Sequence, residues 1–176
     1  MSEIVEGTGV VSQTTSEERT WAALAHASTL FTMLIALPTG GLGGLLFVFA
    51  PYVIYVAFKD KSRYVGFHAA QAFALQLAGT LGLFLVILAG ALVITVAVTV
   101  TVILSFILIG LVLIPVDILL GVILALVMVA APFVLGGFSI VAVIESLNGN
   151  QYRYPYVGRW VEDWLARNET EMSPLG

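Results

Sequence analysis

Few side chains in this sequence could do chemistry, and most of them sit in apolar surroundings. His26 and His68 are its two histidines. His68, Gln71 and Gln76 follow at i, i+3 and i+8, which places them on one helix face, and Gly79 and Gly82 continue that face. Histidines in such a setting could relay protons, bind a metal, or ligate a tetrapyrrole. A structural alternative is a hydrogen bond between helices. A stripe of amides followed by small residues favours that alternative, because small residues let helices approach and amides bond across the contact. His26 and His68 both fall near the same end of their helices and are placed to meet. Two histidines with no cysteine fall short of a zinc set, and no cofactor is expected. No Ser-His-Asp set, paired carboxylates or HExxH pattern occurs, so the sequence reads as non-enzymatic. The glycines at 40, 41, 43 and 44 lack the preceding strand and following Gly-Lys-Ser/Thr of a phosphate loop.

The elements that hold these residues must fold in a solvent other than water. Of 176 residues, 60% are hydrophobic and 10% charged, against roughly 25% charged in soluble domains. From Tyr64 to Ile144 the one formal charge is Asp117. A chain of this size cannot cover that much apolar surface with polar groups, which excludes a water-soluble enzyme and makes the lipid bilayer its first partner. The net charge of −4 and the lack of a basic patch give no reason to expect nucleic acid. The first 18 residues are polar and acidic with no basic run, unlike a cleaved secretory leader.

Three regions follow from this patterning. Residues 1–14 read as a disordered acidic tail, 15–147 as a transmembrane helical domain, and 148–176 as a cytoplasmic C-terminal segment. Thr15-Ser16-Glu17-Glu18 is a capping box that starts a helix, with Trp21 at the headgroups. Pro38 to Gly44 form a turn, and Pro51 kinks the next apolar stretch. Lys59-Asp60-Lys61-Ser62-Arg63 is a charged loop. Farther on, Pro115 is expected to end a helix and Asp117 to cap the next. The β-branched run 93–104 is read as helix, because an isolated strand in lipid leaves backbone groups unpaired. Val157, Trp160, Val161, Trp164 and Leu165 repeat at helical spacing, giving an amphipathic helix over 156–167. Its Trp160 and Trp164 suit interfacial anchoring; the alternative is packing on the protein's own cytoplasmic face.

Charge placement sets the expected topology. All seven Lys and Arg residues fall in the N-terminal segment (Arg19), the central loop (Lys59, Lys61, Arg63) or the tail (Arg153, Arg159, Arg167). An even number of crossings puts them all on one face. The expected fold is therefore all-α: a polytopic transmembrane bundle of four crossings in the cytoplasmic (inner) membrane, with both termini cytoplasmic. Hydropathy alone also allows five. In the four-crossing reading, residues 92–114 tilt or re-enter without crossing.

A string of motifs carries a resemblance. Glu18-Arg19-Thr20-Trp21-Ala22-Ala23-Leu24-Ala25-His26, Lys59-Asp60-Lys61-Ser62, Phe67-His68-Ala69-Ala70-Gln71-Ala72, and Asn148-Gly149 with Tyr152-Arg153-Tyr154-Pro155 occur in order. In this the chain resembles a family of small bacterial membrane proteins of unknown function, itself similar to the import-channel subunit of the chloroplast inner-envelope translocon. The resemblance implies four transmembrane helices with both ends cytoplasmic. Two departures stand out. The stretch from His68 to Tyr154 is longer here, and Ala72-Phe73-Ala74-Leu75-Gln76 lacks the family's Asn. The function expected is an accessory or scaffold subunit of a larger membrane complex, with protein partners in the membrane or further copies of itself. The rivals are a translocon-like channel or transporter component, and a pigment or haem carrier ligated by a histidine.

Overall fold

A computed structural model describes residues 14–36, 38–39 and 41–172; most of the expected acidic tail lies outside these residues. The described residues form six helices and no strand: α1 (Ser16–Ala36), α2 (Leu42–Phe47), α3 (Ala50–Phe58), α4 (Arg63–Ser105), α5 (Gly110–Leu147) and α6 (Val157–Met172). The capping box forms as its sequence requires. Glu18 N–H donates to Thr15 Oγ1 at 3.2 Å, and Thr15 N–H donates to Glu18 Oε2 at 2.8 Å. The other Glu18 oxygen accepts from the Ser62 hydroxyl at 2.6 Å, and Ser62 caps α4 by accepting from Val65 N–H. One carboxylate thus joins two helix N-termini, where the backbone dipoles favour negative charge. The same contact fixes α1 and α4 to start at one end of the molecule.

Tyr64 donates to the Ser146 carbonyl at 3.0 Å, so α5 finishes at that end too. α1 packs against α4 and α5, α2 folds back on α1, and α3 and α6 lie on α4. Ala25, Ala69 and Ala72 form the α1–α4 contact, and their small side chains let the two backbones approach. The core sits at this end: apart from Thr101, every buried residue of α4 lies between Val65 and Gln76.

Two breaks fall elsewhere than expected. The α2–α3 break comes at 48–49, ahead of Pro51, which occupies the first turn of α3, where its missing N–H has no helical partner to lose. The α4–α5 turn is Phe106–Ile109, not Pro115: Pro115 and Asp117 both lie inside α5, so Asp117 is not a cap. Pro within a helix is tolerated in lipid where neighbouring groups re-satisfy the freed carbonyl. Leu108 adopts a positive φ of 64° to close the turn. Gly110 follows because an added Cβ would collide with the Thr101 carbonyl and Ser105 backbone.

α4 and α5 are long and apolar enough to cross a bilayer, and Leu42–Phe58 is a shorter apolar stretch. At 43 residues, α4 is about 64 Å long, roughly twice the ~30 Å hydrocarbon core. α1 reaches only part of that distance, since Met33 packs at Gly136 while Gly79 meets Leu135. Beyond that level α4 and α5 continue as a two-helix hairpin with an apolar tip, where Phe106 is 88% exposed.

Candidate functional site

The bundle's polar side chains converge where α1, α4 and α5 begin and end. Close α1–α4 packing brings His26 Nε2 to 2.9 Å from His68 Nδ1. Tyr154 Oη lies 2.9 Å from the other His26 nitrogen, Nδ1, and 3.5 Å from Ser139 Oγ. Ser146 Oγ is 3.3 Å from His68 Nδ1. Both imidazoles are fully buried. Tyr64 covers the His68 ring, with centroids 4.5 Å apart.

Two tautomeric arrangements satisfy this chain. In one, Tyr154 donates to His26 Nδ1 and His26 Nε2–H donates to His68 Nδ1. In the other, His68 Nδ1–H donates to His26 Nε2, and His26 Nδ1–H donates to the tyrosine oxygen. A single proton occupies the N···N contact in either case, and His68 Nε2 ends the chain buried without a partner among the described residues. His26 has no ring nitrogen free to ligate a metal or tetrapyrrole. Among the described residues no group of three or more His, Cys, Asp or Glu could hold a metal ion.

Tyr154 reaches this centre because residues 150–154 turn back into the bundle. Gln71 donates to the Tyr152 carbonyl at 3.0 Å and accepts from Tyr154 N–H at 2.9 Å, so its carboxamide pairs with an extended backbone as a neighbouring strand would. Buried backbone outside helices and strands needs such partners. Gln71 is therefore a clamp on the chain between α5 and α6. Gln76 binds across a helix contact instead: it donates to Ser28 Oγ at 2.8 Å and Thr29 Oγ1 at 3.0 Å, and accepts from Thr32 at 3.2 Å. Gly79 lies under Leu135 of α5, whose Cδ1 would be 2.6 Å from an added Cβ, whereas Gly82 faces open space.

The remaining motif residues gather at the charged end. Arg19 donates to the Thr14 carbonyl and hydroxyl and lies against Gly149. Trp21 and Lys61 both pack on Phe58, at 5.1 Å between centroids and 5.7 Å from ammonium to ring. Lys59 pairs loosely with Asp60 at 3.9 Å. Arg153 pairs with Glu162 at 2.9 Å, tying the segment to α6, and Pro155 lies in the turn before that helix. Hydrogen bonds from Ser62 and Thr15 hold the Glu18 carboxyl below its ordinary range. α6 packs Val161 against Phe67 and Ala70, while Trp160 stays 59% exposed and Trp164 lies on Tyr55.

Sequence reasoning did not single out Ser139, Ser146 or Tyr64. Two hydroxyls seven residues apart on an apolar helix were the available signal, since that spacing returns to one face.

Comparison with curated proteins and with solved structures gives no match, and no finding supports the similarity to the chloroplast import channel. The motif string instead falls within a match to one family model, which spans residues 17–161 and is described as the MamF/MmsF magnetosome magnetite crystal formation protein family. This chain belongs to that family.

Proposed function

We propose that this protein is a non-enzymatic, multi-pass membrane protein that serves as an accessory or scaffold subunit in magnetite crystal formation. The observation that carries the reading is the family match over 17–161. The division of labour within the chain supports it. Buried polar groups at the charged end bond chiefly to one another, which builds a rigid platform, and the α4–α5 hairpin beyond them keeps its apolar surface free for other apolar matter. Helices that are apolar all round belong in lipid or against other helices. Deleting the gene in the parent organism and imaging the mineral by electron microscopy tests this. Magnetite crystals of altered size or number, restored by the full chain, are the expected result; unchanged crystals would reject the reading.

In this reading α1, the α2–α3 pair, α4 and α5 make four crossings, with both termini cytoplasmic. The shared end of α1, α4 and α5 carries the Lys and Arg residues that the positive-inside rule keeps on that face. Reporters fused after residues 62 and 170 should both give cytoplasmic signals; an external signal at 170 defeats the four-crossing arrangement.

A further inference from the structure

A groove of about 660 Å³ lies between α3, α4 and α6, away from the histidine centre. Its floor is the α4 face from Ala70 to Leu81. Tyr52 and Tyr55 form one wall, and Trp160 and Trp164 the other. Eleven helical steps along that floor measure about 16 Å, close to half of a ~30 Å hydrocarbon core and so to the depth of one leaflet.

Two cations follow the lining residues in sequence, outside the lining itself. Lys59 follows Tyr55 by one turn of α3, and Arg167 follows Trp164 by three positions on the same side of α6. Tyr55 and Trp164 meet at an angle, with centroids 6.0 Å apart and ring planes tilted by 52°, so both cations follow in sequence from one aromatic contact. The Lys59 side chain is 43% exposed, and its 3.9 Å pair with Asp60 is too loose and solvated to hold it. Arg167 is exposed. Apolar and aromatic side chains line the rest, with aromatics of the kind that settle at headgroup level. We propose that this groove is a binding site for one anionic phospholipid of the cytoplasmic leaflet: the acyl chain lies along Leu77 and Leu81, and Lys59 and Arg167 meet the phosphate. The assignment rests on the four-crossing arrangement, which sets both the depth of the groove in the bilayer and the leaflet that supplies the lipid.

Tryptophan quenching tests it on the full chain. The Trp21→Phe variant, whose fluorescence comes from Trp160 and Trp164, is reconstituted into vesicles containing either brominated phosphatidylglycerol or brominated phosphatidylcholine at equal mole fraction. A site of this kind favours phosphatidylglycerol by about fivefold for each cation, and the preference falls to parity in Lys59→Gln/Arg167→Gln, both exposed changes that leave the fold intact. Equal quenching by the two lipids would overturn the proposal, as would a preference that survives the double substitution. Absence of quenching by either lipid would show that no acyl chain enters the groove. None of these outcomes bears on mineral formation, so the site and the proposed function fail separately.

Discussion

His26 Nε2 lies 2.9 Å from His68 Nδ1 across 42 positions of sequence, in a contact that excludes water. A bond between two imidazoles needs a single shared proton, so each ring fixes the tautomer of the other. Tyr154 extends the constraint to the segment after α5. The centre thereby locks three helices and the C-terminal connection to one another.

Removing one member should cost more than the bond alone. Tyr154→Phe leaves His26 Nδ1 buried without a partner and should lower stability by about 1–3 kcal/mol. His68→Ala adds a cavity and should cost about 3 kcal/mol or more. The double substitution should cost less than the sum, because both act on one network. Unfolding in detergent followed by near-ultraviolet circular dichroism measures all three; additive losses would contradict a shared network.

Gln71→Leu removes both backbone bonds of the clamp and should release residues 150–156. Kept in place, the Tyr154 N–H would be buried without a partner at about 1–3 kcal/mol, and the part-buried Tyr152 carbonyl would lose its bond too, which favours release. Limited proteolysis should cut this segment faster in Gln71→Leu than in the parent chain, while α4 and α5 stay intact. Unchanged cleavage would mean that packing alone holds the segment.

The two glycines at the end of the polar stripe should behave differently. Gly79→Leu pushes against Leu135 and should destabilise the α4–α5 contact by about 1–3 kcal/mol. Gly82→Leu enters open space and should be neutral within about 0.5 kcal/mol. Thermal midpoints of the two variants in one detergent separate these outcomes.

Acid should loosen the α1–α4 junction. The Glu18 carboxyl titrates lower when folded than its ordinary value of 4.5, with the Ser62 hydroxyl bond as the leading cause. Its stabilising contribution is therefore complete above the ordinary value and is lost as pH falls through the lowered one. The thermal midpoint should drop over that acidic range, and Glu18→Gln should reduce the drop. An equal drop in both proteins would place the sensitive group elsewhere.

How much of this was legible in the sequence varied with the range of the signal. Thr15 and Glu18 signal a helix start because both halves of a capping box are three residues apart. The meeting of His26 and His68, and the contact made by Gln76, follow from polar residues whose position on an apolar helix needs a partner. The α4–α5 turn does not show in the sequence because Phe106–Ile109 contains no turn former, while Pro115 nearby mimics a helix end. Gly110 was the overlooked signal, needed for close approach to Thr101. The inward fold of Tyr152–Tyr154 could not be read, since its partner Gln71 is 81 to 83 positions away and an amide can serve a helix or an extended segment equally well.

The most direct test of the scaffold account is mild-detergent extraction from native membranes, followed by sizing and mass-spectrometric identification of what co-migrates. The account predicts stoichiometric co-migration with one defined membrane assembly, lost when residues 83–129 of the hairpin are removed. Migration of the full chain alone, or only with copies of itself, would contradict it.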